Sequence, residues 1–277
     1  PMGSDGGAWV SDAAFSIDTS FVPQGIGADT IATLDGYSRE DVDAYALESQ
    51  RRAAHARDNG YFDRSVVPVL DSNGFSILQH DDFIKPQSSM EGLGALRASF
   101  EQMGSMGFDA MMIKKYNTLD RIDHVHTPGN SSGIVDGASA VLIGSERAGK
   151  DLGLTARGRI VAGAILASDP IIMLTAPGPS AVKCLQTAGL TENDIDLWEI
   201  NEAFAAVAMR YMRDLDIDHS VTNVNGGSIA MGHPLGATGA MLLSSMLDEL
   251  ERRELRRGML SLCVGGGMGI SCIIERA

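Results

Sequence analysis

Short apolar runs and apolar stripes at three- and four-residue spacing alternate along the second half of the chain, and the two patterns predict different elements. The runs over 160–167, 197–200, 221–224, 259–264 and 270–275 predict strands. Phe204, Val207, Ala208 and Tyr211 recur at helical spacing and predict a helix over 202–215. Pro177-Gly178-Pro179 opens another helix, with Pro179 suited to its first turn, and Gly189 ends it. A further helix is predicted over 237–251, beginning just after His233. The glycine turn after Val264 joins the last two strands as a hairpin, and the whole predicts a layered α/β domain over about 155–277.

The first half is less regular. Residues 1–37 are rich in Gly, Ser, Asp and Thr and predict loop with short ordered pieces. Ser38 followed by Asp41 forms a capping box that starts a helix. Its buried face is Val42, Tyr45, Ala46, Ser49 and Ala53, and Gly60 supplies the stop. Glu40, Asp43, Arg51, Arg52 and Arg57 form the solvated face of this helix. A short strand is predicted over 62–69, ended by Asp71-Ser72-Asn73-Gly74, and a second helix over 90–102. The methionines at 103, 106, 111 and 112 are expected to pack in the core. A dense turn from Pro128 to Gly137 precedes a predicted strand over 138–145, and 146–159 is polar.

The net charge of −14 argues against a nucleic-acid binder, although a local basic pocket for a polyanionic ligand can coexist with it. No apolar run is long enough to span a bilayer, and the first residues lack the features of a signal peptide. Cys184, Cys263 and Cys272 are odd in number and unpatterned, so no disulfide framework is implied and a reducing, cytoplasmic setting fits best. His124 and His126 stand two apart, on one face if the segment is a strand, but further metal ligands are not evident, so no metal site is expected.

Three polar groups stand at tight turns or helix starts in the last third. They are Asn201 in Asn201-Glu202-Ala203-Phe204, His233 in Gly232-His233-Pro234-Leu235-Gly236, and Cys263 before Gly265-Gly266-Gly267. Each has a simpler reading: Asn201 as a helix cap, His233 as a loop residue and Cys263 as packing in an apolar strand. Brought together, an imidazole and a thiol are the ingredients of thiolate chemistry, because the imidazole lowers the thiol pKa and shuttles its proton.

In order and spacing, NEAF, GHPLGATGA and CVGGGMG resemble the three C-terminal motifs of the thiolase family, and the resemblance covers nearly the whole chain. It implies a thiolase-like layered αβαβα fold, with an α/β loop domain inserted in the first half. On that mapping residues 1–133 are mostly loop domain, 134–154 end the N-terminal half, and 155–277 form the C-terminal domain. The implied reaction is acyl-CoA C-acyl transfer, as Claisen condensation or thiolytic cleavage of a 3-ketoacyl-CoA. It needs no cofactor beyond the coenzyme A thioester as substrate. His233 matches the histidine that activates the nucleophilic thiol and donates into an oxyanion hole. Cys263 matches the acid/base cysteine, Asn201 the residue holding an oxyanion-hole water, and Gly265 the backbone donor of a second hole. Ser132, in Gly129-Asn130-Ser131-Ser132-Gly133, matches a serine beside the pantetheine arm of coenzyme A. The family nucleophile lies in a CGSG-like turn, and no such turn occurs here; Cys184 and Cys272 are expected in the core. The N-terminal half is therefore expected to be incomplete, with Cys263 the most reactive thiol. The implied partners are acyl-CoA and further copies of the chain, as a homo-oligomer. Two other classes remain open: a CoA-binding module without turnover, and a structural half that needs a partner chain.

Overall fold

The computed structural model describes residues 18–19 and 21–277. The readings made on residues 1–17 and 20, including the absence of a signal peptide, lie outside them. In chain order the main elements begin with helices α1 (Gln24–Asp35) and α2 (Arg39–Asp58) and a small hairpin of β1 (Val69–Leu70) and β2 (Ser76–Leu78). The short helices α3 (Met90–Gly94), α4 (Asp109–Lys115) and α5 (Glu146–Leu152) follow. Then come β3 (Gly158–Ala167), α6 (Pro177–Ala188), β4 (Leu197–Ile200), α7 (Ala205–Leu215), α8 (Ser228–Met231) and α9 (Thr238–Arg252). The strands β5 (Arg257–Val264) and β6 (Met268–Arg276) close the chain.

Four strands form the central sheet in the order β3-β6-β5-β4. β6 is antiparallel to both neighbours, and β4 runs parallel to β5 with Ile200 opposite Ser261. Alternation along the strands divides the core in two. Trp198, Ile200, Met259 and Ile273 pack with Cys184, Leu185 and Tyr211 from α6 and α7. Leu197, Leu260 and Ile274 face the other way, onto Leu242, Met246 and Leu250 of α9. The result is a helix–sheet–helix layering, with α1 and α2 packed outside α7.

The predicted strands over 160–167, 197–200, 259–264 and 270–275 and the helices after Pro177 and Gly236 form close to the expected bounds. So does α2: Ser38 accepts from the Asp41 amide while Asp41 accepts from the Ser38 amide. Such a cap contributes about 1 kcal/mol. Several expectations fail. The stretch predicted as loop before Ser38 contains α1, a buried helix in which Ile26, Ala28, Ile31 and Ala32 are inaccessible to solvent. Its glycines hid it, but they allow close packing, since a Cβ at Gly25 would meet the Phe100 ring at 2.2 Å. Asp43 and Arg52 are not on a solvated face either. Asp43 is buried and accepts from Arg39 and Asn130, and Arg52 donates to the carbonyls of His219, Thr222 and Asn223.

The predicted 90–102 helix is only α3, followed by a broken helical run in which Gly107 takes φ 115°. Met112 is fully buried, whereas Met106 is exposed. The strand expected over 62–69 is reduced to β1, and that over 221–224 to isolated bridges around Thr222 and Val224. No strand forms over 138–145, and Leu142 and Ile143 are exposed there. A strand exists by pairing, and among the described residues no other strand lies beside this segment. No described helix is long and apolar enough to cross a membrane.

Candidate active site

Parallel pairing of β4 with β5 carries Asn201 off the sheet edge, where its amide donates to the Ser261 carbonyl at 3.0 Å. Asn201 is buried but caps no helix: α7 begins at Ala205, and Phe204 stands at its N-cap without a side-chain bond. The Asn201 side chain points instead to α8 and to His233. Its Oδ1 accepts from Ser228 Oγ at 2.6 Å, and its Nδ2 lies 3.3 Å from His233 Nε2.

His233 is held from three sides. Its amide donates to the Gly133 carbonyl at 2.8 Å. The preceding Gly232 takes φ 84°, and a Cβ there would meet Val135 at 2.5 Å, so this turn requires glycine. On the ring, Nδ1 lies 2.6 Å from Thr238 Oγ1, while the Thr238 hydroxyl donates to the Pro234 carbonyl at 3.0 Å. With its proton so committed, Thr238 Oγ1 accepts from Nδ1–H. Nε2 then carries the lone pair and accepts from the Asn201 amide group. Half-buried, the imidazole has its pKa lowered by desolvation, which favours this neutral form at neutral pH.

The Gly129–Gly133 turn lies along the same wall. Ser132 donates through its amide (3.0 Å) and its hydroxyl (3.2 Å) to the Ala203 carbonyl, and the Ala205 amide donates to the Asn130 carbonyl at 3.0 Å. Ser132, Asn201 and His233 are thus brought into one continuous hydrogen-bonded frame.

Cys263 lies two residues beyond Ser261 on β5, half-buried at the edge of the α6–α7 core. No hydrogen bond joins it to His233 among the described residues, and burial pushes its thiol up to about 11. Burial thus opposes the expected imidazole-lowered thiol: desolvation favours the neutral form, and among the described residues no cation is paired with it. Gly265 opens the exposed turn after β5, where a Cβ would come within 3.6 Å of Gln24 Nε2. Cys184 is buried in α6 with its thiol raised by desolvation, and Cys272 is half-buried on β6, raised to about 11.

The sequence reading missed the groups that hold the Asn201 loop. Glu202 is fully buried and accepts from Tyr45 Oη (3.0 Å), Ser49 Oγ (2.7 Å), Asn223 Nδ2 (2.9 Å) and the Ile229 amide (3.1 Å). α2 thereby clamps the NEAF loop from more than 150 residues away in sequence. Two local signals existed, a serine on the apolar face of α2 and an acidic residue in an otherwise apolar run. Thr238 and Ser228 were also missed; they open α9 and α8, the helices on either side of the histidine.

A family profile described as "Thiolase, C-terminal domain" matches residues 154–276, and one described as "Thiolase, N-terminal domain" matches residues 12–111. The chain is 39% identical over 255 residues to an acetyl-CoA acetyltransferase of Allochromatium vinosum, covering 91% of this chain and 60% of that protein. It is 41% identical over 254 residues to an acetyl-CoA acetyltransferase of Escherichia coli, covering 91% and 59%. The crystal structure of human mitochondrial 3-ketoacyl-CoA thiolase superposes with a TM-score of 0.82 at 39% identity, covering 92% of this chain and 60% of that one. The same human enzyme in complex with CoA gives a TM-score of 0.82 at 38% identity, covering 92% and 59%. The chain thus spans about 60% of the length of the relatives it matches.

Proposed function

Because the chain belongs to the thiolase family, we propose that it supplies the proton-handling half of an acyl-CoA C-acyltransferase. The reaction joins two acyl-CoA molecules with release of CoA, or cleaves a 3-ketoacyl-CoA with free CoA in the reverse sense. One observation carries this reading: the Ser228–Asn201–His233–Thr238 chain fixes a neutral imidazole with Nε2 as the acceptor. Such a ring takes a proton from a thiol as general base and, once protonated, donates it to a developing oxyanion.

The remaining roles follow the resemblance. Asn201, through a held water, joins His233 in stabilising the enolate oxygen of a thioester. Cys263 moves the α proton. In the cleavage direction its protonated resting state, favoured by a pKa near 11, suits delivery of that proton to the enolate carbon. The Gly265 amide serves a second oxyanion site, and Ser132 lies along the pantetheine arm of the bound CoA. None of the three cysteines stands in a CGSG-like turn, so the acyl-carrying thiolate belongs to none of them. On this reading the fold is αβαβα with the N-terminal half incomplete: 1–133 mostly loop domain, 134–154 the end of that half, and 155–277 the C-terminal domain. The working form is a homo-oligomer in the cytoplasm, a compartment consistent with three free cysteines.

The absence of a CGSG-like turn also favours a second reading, CoA binding without turnover. Calorimetric titration of the chain with acetyl-CoA tests both. Saturable binding at micromolar to millimolar ligand is expected, and no binding would leave only a structural half-protein.

A further inference from the structure

We infer that Asp29 and His126 form a positioning pair for the Asn201 loop, which rests on the role proposed above for Asn201. Asp29 sits in the middle of α1, inaccessible to solvent, yet its carboxylate has four partners. Oδ1 accepts from the Val125 amide (3.1 Å), the His126 amide (3.0 Å) and His126 Nδ1 (2.7 Å), and Oδ2 accepts from His124 Nδ1 (2.7 Å). A buried carboxylate so placed fixes the ring it faces: the proton of His126 is on Nδ1, and Nε2 is left as an acceptor.

That acceptor faces α7. The Ala206 amide donates to His126 Nε2 at 3.4 Å. Ala206 is in the first turn of α7, where amides have no partner within the helix, and Phe204 at the N-cap offers no side-chain oxygen. His126 therefore does from outside the helix what a serine or aspartate cap does from within it. The ring also stands edge-on to Phe204, with centroids 5.4 Å apart. Both contacts bear on the segment that leaves Asn201, and only four residues separate Asn201 from Ala206. His126 touches neither Asn201 nor His233, so its action is on placement alone. His124 is separate: its second ring nitrogen meets Asp109 Oδ2 at 3.0 Å, so it ties α1 to α4 rather than to α7.

The test uses the full chain, uniformly ¹⁵N-labelled, with two readouts that need no turnover. Two-bond ¹H–¹⁵N correlation of the imidazoles should show His126 as the Nδ1-protonated tautomer. Hydrogen exchange read by mass spectrometry should show the Ala206 region of wild type protected. His126→Phe keeps a ring against Phe204 but offers no acceptor. It should speed exchange at 204–207 roughly tenfold, leave 242–250 in α9 unchanged as the fold control, and shift the His233 Nε2 resonance as Asn201 relaxes. His126→Gln offers an acceptor again and should restore both signals. If His126→Phe fails to fold, the tautomer in wild type and the exchange of His126→Gln still decide. An Nε2-protonated His126 would overturn the inference, as would unchanged exchange at 204–207 or an unmoved His233 resonance in a folded His126→Phe. Failure of acetyl-CoA to bind would count against the proposed function and leave these signals as they are.

Discussion

Alkylation of Cys263 offers a quantitative check on the site, because burial and sequence motif give opposite answers. Burial moves its thiol from an ordinary 9 to about 11. At pH 7.5 the thiolate fraction then falls from about 3% to about 0.03%, a loss of roughly a hundredfold. A more basic thiolate is also more nucleophilic, by roughly six- to tenfold over two pKa units. The net expectation is alkylation about 10 to 16 times slower than a free thiol. The rate should climb about tenfold per pH unit up to pH 10, since the thiolate fraction does so. The assay is timed iodoacetamide labelling between pH 7 and 10.5, quenched and read by peptide mapping. Cys272, raised equally, should follow a similar profile, and Cys184, fully buried, should label last. His233→Ala should leave the Cys263 rate unchanged, since no hydrogen bond joins the two in the described chain. A rate midpoint at or below pH 9, or selective slowing of Cys263 in His233→Ala, would refute the burial argument and restore a Cys–His pair.

Further outcomes follow from buried groups away from Cys263. Glu202→Ala strips partners from Tyr45, Ser49, Asn223 and the Ile229 amide and should cost about 3 kcal/mol by urea denaturation. A loss under about 0.5 kcal/mol would remove the clamp from the account. His124 is raised from 6.5 to about 9, chiefly by its hydrogen bond to Asp29, so its stabilisation is complete below pH 6.5 and lost as pH rises through 9. With solvent near Asp109 discounted, this amounts to about 2 kcal/mol. Wild type should therefore lose that much more stability than His124→Gln between pH 6.5 and 9.5, and parallel curves would contradict it. Gly226→Ala combines φ 77° with a Cβ only 2.5 Å from the Ser49 carbonyl. It should destabilise by more than about 2 kcal/mol in the same assay, and a neutral change would show that α2 yields freely there. After incubation with acetyl-CoA, intact-mass analysis should find no stable acyl adduct, and a thioester on Cys184 or Cys272 would overturn their placement outside the acyl-carrying role.

What the sequence made legible was local. The Ser38 capping box, the stripe on α7 and the glycine hairpin after Val264 are each decided within a few residues, and each forms as expected. The motif glycines and the Asn201–His233 proximity were legible through family resemblance. Failures arose where distant partners decide. α1 looks like loop because glycine and threonine weaken helical propensity, yet close packing on Phe100 and Ile172 selects the helix. Residues 138–145 have strand composition, but composition does not supply a neighbouring strand. Glu202 and Asp29 are single acidic residues whose burial depends on partners more than 90 residues away, beyond any local pattern. For Cys263, burial opposes the expected activation for a related reason: adjacency of motifs does not reveal whether burial or a neighbouring ring controls a thiol.

Exchange of the acetyl-CoA methyl hydrogens in D₂O, followed by proton NMR at pH 8, tests the proton-handling claim without requiring an acylated nucleophile. Cys263 and the Asn201–His233 pair are all present in this chain, so wild type should exchange the methyl group faster than buffer. Cys263→Ala should abolish the catalysed rate, and His233→Ala should lower it by roughly a hundredfold, because the ring, once protonated at Nε2, is the donor to the enolate oxygen. Exchange at the buffer rate in wild type that nevertheless binds acetyl-CoA would contradict the account, as would full exchange in Cys263→Ala.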